Sequence, residues 1–297
     1  FSIKVLVYYL YYCIMKITTY LENFSLDENG VFENKKTQVD RIVLNGINIK
    51  RYTNEFWTSK QRQANSIHEI SYRACYKPQL PRFFIDKLSV KNDIIYDPFL
   101  GRGTTIIEAA INQRNVIGND VNPLSTILCE PRLNPPKLNE IRIFLEEFDF
   151  TYNQISDIDL SMFFHTKTLD EILSLKKYFI AKKKERELTN VEKWIIMVLT
   201  NRLTGHSNGF LSVYTLPPNQ AVSQDRQIKI NLKRDQSPEY RPVIERILKK
   251  SKTLLRDINK NTFNKINGIE YKILNSDARS TKEIKSNTVN LTITSPP

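Results

Sequence analysis

The densest chemical signal in the chain is the run Asp97-Pro98-Phe99-Leu100-Gly101-Arg102-Gly103-Thr104-Thr105. The apolar residues Ile94-Ile95-Tyr96 deliver the chain to Asp97 as a buried strand would. Gly101 and Gly103, two of only 8 glycines, permit a tight turn and close approach of a ligand to the backbone. Helix character starts at Thr104, so unpaired N–H groups face the turn. A strand, a glycine turn and a helix N-terminus make a cofactor site at the carboxyl end of a doubly wound sheet. Two other phosphate-binding patterns fit less well. The dinucleotide fingerprint needs glycine where Ile106 stands, and the Walker lysine is absent. A purely structural glycine turn leaves Asp97 and the paired threonines unexplained.

Asp120 follows Gly103 by 17 residues, at the end of the next apolar run, Val116-Ile117-Gly118. A carboxylate there can accept both hydroxyls of a ribose. It can equally serve the turn or cap the helix in Asn119-Asp120-Val121-Asn122-Pro123. Near the end of the chain, Thr294-Ser295-Pro296-Pro297 closes the apolar stretch Val289–Thr294.

The motif DPFxGxGTT resembles motif I of the S-adenosylmethionine-dependent DNA methyltransferases that modify exocyclic amino groups. TSPP resembles their motif IV, [S/D/N]PP followed by an aromatic residue. The resemblance covers about Trp57 to Asp120 and Tyr271 to Pro297. It implies that Asp97, Phe99, Gly101, Gly103, Thr104 and Thr105 wrap the methionine part of the donor, with Asp97 near its ammonium. Asp120 is then expected on the ribose, and Asp277 on the adenine amino group. Ile67–Tyr72 and Lys77–Ile85 resemble the segment that lines the methionine end in cytosine-N4 enzymes. His68 and Tyr72 are expected to be structural.

Catalysis then falls to Thr294, Ser295, Pro296 and Pro297. An exocyclic amine is a poor nucleophile because its lone pair is delocalised into the base. Acceptors such as Ser295 Oγ and the Pro296 carbonyl favour the localised form, and the prolines fix the backbone. Displacement from a sulfonium then needs alignment more than a strong base. Serine before the prolines is typical of cytosine-N4 enzymes, whereas aspartate or asparagine is typical of adenine-N6 enzymes.

Strand, helix and strand within about 30 residues around motif I form a βαβ unit. The implied fold is α/β, a Rossmann-like methyltransferase sheet, with strands expected at Ile94–Phe99, Val116–Asp120, Tyr271–Asn275 and Leu291–Thr294 in one largely parallel sheet. Residues 15–130 and 266–297 should form the catalytic domain, and residues 131–265 a mainly helical insert that serves as a target-recognition region. Capping-box spacing at Thr168–Glu171 and Thr189–Glu192 predicts two of its helices. Residues 15–52 read as polar and weakly patterned. From Arg226 to Lys265 twelve basic residues face four acidic ones, a large share of the net charge of +12. Such a segment can grip phosphates or form a solvated helix over Val243–Leu254 that covers the sheet.

Three scattered cysteines and three scattered histidines suggest neither disulfides nor a metal site, and a cytoplasmic setting is the default. Phe1–Ile14 is apolar but too short to span a bilayer, and Met15 is a candidate start. Because the chain stops at Pro297, before the aromatic residue of motif IV, the sheet is expected to be incomplete and the fragment inactive. The expected activity is methylation of cytosine N4 in DNA, alongside a restriction endonuclease encoded nearby. Adenine-N6 methylation, RNA amino-methylation and an inactive nucleic-acid-binding remnant are the alternatives.

Overall fold

The computed structural model describes residues 17–24, 37–44, 46–54, 64–72, 75–216 and 222–295. The expectations for Phe1–Ile14, Met15, Pro296 and Pro297 lie outside these residues.

The fold is a mixed α/β, Rossmann-like arrangement around a parallel four-stranded sheet. Its strands are β3 (Ile94–Asp97), β4 (Asn115–Asn119), β5 (Tyr271–Leu274) and β6 (Leu291–Thr292), in the spatial order β5-β4-β3-β6. These are the four expected strands, each one or two residues shorter at its carboxyl end, where the chain turns into loops. The central strands β3 and β4 are short, with inward residues such as Ile95 and Val116 fully buried, as a sheet covered on both faces requires.

Before the sheet come a hairpin, β1 (Gln38–Leu44) with β2 (Ile47–Thr53), and the helix α1 (Gln79–Leu88). The hairpin corrects the reading of residues 15–52 as weakly patterned. Its turn includes Gly46 at φ +78°, the left-handed backbone that a tight hairpin loop demands. Helix α2 (Thr104–Ile111) links β3 to β4, and α3 (Pro123–Leu133) follows β4. Asn122 caps α3 by accepting from the Leu124 N–H, with Pro123 in the first turn.

The remaining helices are α4 (Leu138–Glu147), α5 (Thr166–Glu185), α6 (Asn190–Arg202), α7 (Gln224–Arg234), α8 (Val243–Leu255) and α9 (Lys260–Asn267). The capping box at Thr189 and Glu192 forms as its spacing indicates. The one at Thr168 does not. Helix α5 starts a turn earlier behind His165, and Thr168 is buried, exchanging hydrogen bonds with the Arg241 backbone. Helix α8 does not cover the sheet either. Its Val243, Ile247 and Leu254 pack into a core shared with Trp194 of α6 and Leu145 of α4.

Two apolar cores result. One lies under the sheet and α2, around Ile95, Ile106 and Val116; the other fills the helical region around Trp194. Helix α3 is the partition, with Leu128 in the helical core and its neighbour Cys129 in the sheet core. Ile266 of α9 returns the chain to the sheet core before β5. No helix among the described residues is long and apolar enough to cross a membrane.

Candidate active site at the carboxyl end of the sheet

Strand β3 ends at Asp97, which is only 1% exposed. Its Oδ1 accepts from the Phe99 N–H at 3.1 Å and from the Thr294 hydroxyl at 2.7 Å. Thr294 follows β6, so this bond joins the ends of two adjacent parallel strands. Thr105, in the first turn of α2, donates to the Ile293 carbonyl at 3.3 Å and hydrogen-bonds the Tyr76 hydroxyl. Thr105 and Tyr76 both also reach Asp97. Burial raises the Asp97 pKa above the usual carboxylate value, and it wins over the hydroxyl and N–H donors. Among the described residues no Lys or Arg pairs with this carboxylate. The same burial raises the Tyr76 phenol.

The glycine loop crosses from β3 to β4. Gly101, at φ +52°, donates its N–H to Asp120 Oδ2 at 2.7 Å. Gly103, at φ +79°, begins α2, and a Cβ there would lie 2.5 Å from Cys129 Sγ. Both positions need a left-handed backbone, and the second also needs the missing side chain. No side chain caps α2, so its first N–H groups stay open at the loop. Phe99 is 41% exposed on the same side.

Asp120 sits at the end of β4. Its Oδ1 accepts from the Asn122 N–H at 2.9 Å, so its turn role is realised. Each of its oxygens keeps a second lone pair for a ligand. The neighbouring Asn119 is fully buried and clamps the loop after β5 through three hydrogen bonds to Ser276. That loop carries Asp277, which is exposed and paired with Arg279 at 2.6 Å. The pairing lowers the Asp277 pKa to about 2.

Two arginines staple the upstream segment to this loop. Arg102 donates to the carbonyl of Ile70 at 3.1 Å. Arg132, on α3 and fully buried, donates to the carbonyls of Leu128, Ile67 and Arg102. Burial pushes its pKa down to about 10. Tyr72 is thereby held against Gly101. His68 is buried with its Nε2 2.7 Å from Glu108 of α2, and burial lowers its pKa. A cavity of about 700 Å³ lies elsewhere, between α3, α5 and α6, and none of these residues lines it.

A family model described as a DNA methylase matches residues 18–125. The type II methyltransferase M.MjaII of Methanocaldococcus jannaschii is 27% identical over 132 residues, 43% of this chain and 24% of its own length. M.BsoBI of Geobacillus stearothermophilus is 39% identical over 101 residues, 32% of this chain and 19% of its own. M.MvaI of Kocuria varians is 30% identical over 88 residues, 29% and 19%. Over residues 18–125 the chain is similar to the N4/N6 DNA amino-methyltransferases. The matched segments span a quarter or less of those relatives. Members of the DNA methylase family take their methyl group from S-adenosylmethionine.

Of the amino-methyltransferase residues singled out in the sequence, the structure gathers Asp97, Phe99, Gly101, Gly103, Thr104, Thr105 and Asp120 with Thr294 at one end of the sheet. Ser295, exposed, adjoins Thr294. Thr104 is buried and accepts from Arg102 Nε at 3.2 Å. Asp277 joins this end through its loop, which Asn119 holds at Ser276 and Asn275 ties to the Asp120 carbonyl at 2.7 Å. Tyr76, Asn119 and Arg132 were not foreseen. The bonds from Tyr76 to Thr105, Arg132 to Ile67 and Asn119 to Ser276 span 29, 65 and 157 residues, beyond any local spacing.

Proposed function

We propose that this chain is the donor-binding part of a site-specific DNA methyltransferase that acts on the N4 amino group of cytosine. The Asp97–Thr294 hydrogen bond carries the reading, because it joins the glycine loop to the residues just before Ser295. Bound S-adenosylmethionine would supply an electrophilic methyl on a sulfonium. The residues present suit it. Asp97 is a buried carboxylate without a cation, which an ammonium would balance. The open first turn of α2 suits the donor's carboxylate. Phe99 offers an aromatic face, Asp120 retains acceptors for ribose hydroxyls, and Asp277 could meet the adenine amino group.

On the target side, Ser295 Oγ and the Pro296 carbonyl would accept from the amine hydrogens and localise its lone pair. Thr294, fixed by Asp97, would hold the adjoining Ser295 beside the donor loop. Serine rather than aspartate before the prolines favours cytosine N4 over adenine N6. The base must leave the duplex to reach this site. Residues 131–265 would supply target recognition, and a cognate endonuclease is the expected partner. Mass spectrometry of digested DNA after incubation with donor and the chain extended past Pro297 should find N4-methylcytosine; N6-methyladenine alone would overturn the base assignment.

A further inference from the structure

We infer that the helical region carries a binding pocket for a DNA backbone phosphate, built by Arg202, Arg246, Lys249 and Lys250. The inference rests on the DNA-methyltransferase reading and adds to it the place where the polyanion is gripped.

The pocket is a cavity of about 300 Å³ between the end of α6, the face of α8 and the loop after α6. Four cations line it against a single carboxylate, Glu245. Among the described residues none of the four makes an ion pair within 4 Å, although Glu245 and Glu171 lie near Arg246. Arg202 stacks on Phe210 at 4.2 Å and donates to Asn201 Oδ1 and Ser71 Oγ. Arg246 spends one nitrogen on the Pro242 carbonyl, and its buried Nε has no partner. Burial, with Arg202 alongside, pushes the Lys250 ammonium down to about 8, and the nearby Glu69 is already paired with Arg256. Like charges packed this closely raise the free energy of the empty pocket and are relieved by an anion.

The loop is shaped for this. Phe210 lies on Gly205, where a Cβ would come within 2.4 Å of the ring, and the Leu211 N–H returns to the Arg202 carbonyl at 2.8 Å. Asn208 is thereby placed in the pocket wall and also in a second polar cleft beyond it, beside Arg234 and Arg241. A phosphodiester, with several acceptor oxygens and a neighbour along the strand, suits such a pair of clefts better than a carboxylate does. The pocket is also coupled to the donor loop. Asn201 and Arg202 both hold Ser71, and the next residue, Tyr72, lies against Gly101.

The test is duplex binding by fluorescence anisotropy over a salt series. It compares the wild-type chain, the Lys249→Ala/Lys250→Ala double variant, Lys250→Arg, and a control double variant, Lys183→Ala/Lys184→Ala. Losing one phosphate contact should flatten the slope of log K against log salt by about 0.9. That loss is expected for the pocket variant only, with Lys250→Arg near wild type and donor affinity by calorimetry unchanged. An unchanged slope with donor binding intact would overturn the pocket and leave the proposed activity standing. Absent donor binding by calorimetry, with the slope lost as expected, would overturn the proposed activity and leave the pocket standing. A pocket variant with the wild-type melting temperature excludes misfolding; an unfolded one passes the decision to Lys250→Glu. Equal slopes for Lys250→Glu and wild type would also overturn the pocket.

Discussion

The sheet end and the helical region both bury carboxylates, and they treat them in opposite ways. In the helical region Glu192 is 1% exposed and fully engaged. It accepts from the Thr189 N–H and hydroxyl, from Arg186 and from Tyr178, and its pKa falls to about 2. Glu171 is engaged by the Tyr240 hydroxyl and the Val243 N–H. At the sheet end Asp97 is equally buried, but burial wins and its pKa rises. A carboxylate held down by cations and backbone N–H groups stabilises the fold. One raised in a polar site without a cation is poised to meet one.

The largest expected effect follows from that contrast. Asp97→Asn should weaken S-adenosylmethionine binding at least roughly tenfold to a hundredfold, the worth of a charge-assisted contact. The melting temperature should hold or rise, because an uncompensated buried charge is removed. In the wild type, donor affinity should fall as acidification protonates Asp97, starting above the ordinary aspartate range. Calorimetry across pH checks both, and equal affinities would place Asp97 with the structural carboxylates.

Gly103→Ala should destabilise the chain by about 1–3 kcal/mol, from a left-handed backbone and the contact with Cys129. Chemical denaturation would measure it. Glu192→Gln should cost on the order of 2 kcal/mol by removing a cap and its ion pair, with donor affinity unchanged. The wild-type Glu192 contribution is present above the unfolded glutamate pKa and lost as pH falls toward about 2. The variant should lack that part of the acid transition. Asp277→Asn should be the mildest, a loss of a few-fold in donor affinity with no shift in melting temperature, since its side chain is exposed and bound only to Arg279.

The same contrast explains what could be read from the sequence. The glycine loop and the four strands were legible because they rest on local turns and apolar runs. The Asn45-Gly46 hairpin signal is equally local but is masked in the sequence, because its strands carry polar residues on both faces. Thr168 misled because a capping pattern inside a helix looks like one at its start; its hydroxyl is committed to Arg241, 73 residues away. Tyr76 and the buried Arg132 act through tertiary partners, and their spacing carries no local mark. Motif order nevertheless placed Asp97 and Thr294 at one end of the sheet, 197 residues apart, because parallel strands bring successive carboxyl ends together.

Hydrogen exchange with and without S-adenosylmethionine tests the central claim most directly, that the carboxyl end of the sheet is the donor site. Protection should appear in residues 97–105, at 119–122 and at 276–279, while the helices lining the 700 Å³ cavity between α3, α5 and α6 stay unchanged. Protection confined to that cavity, with the glycine loop unaffected, would contradict the account.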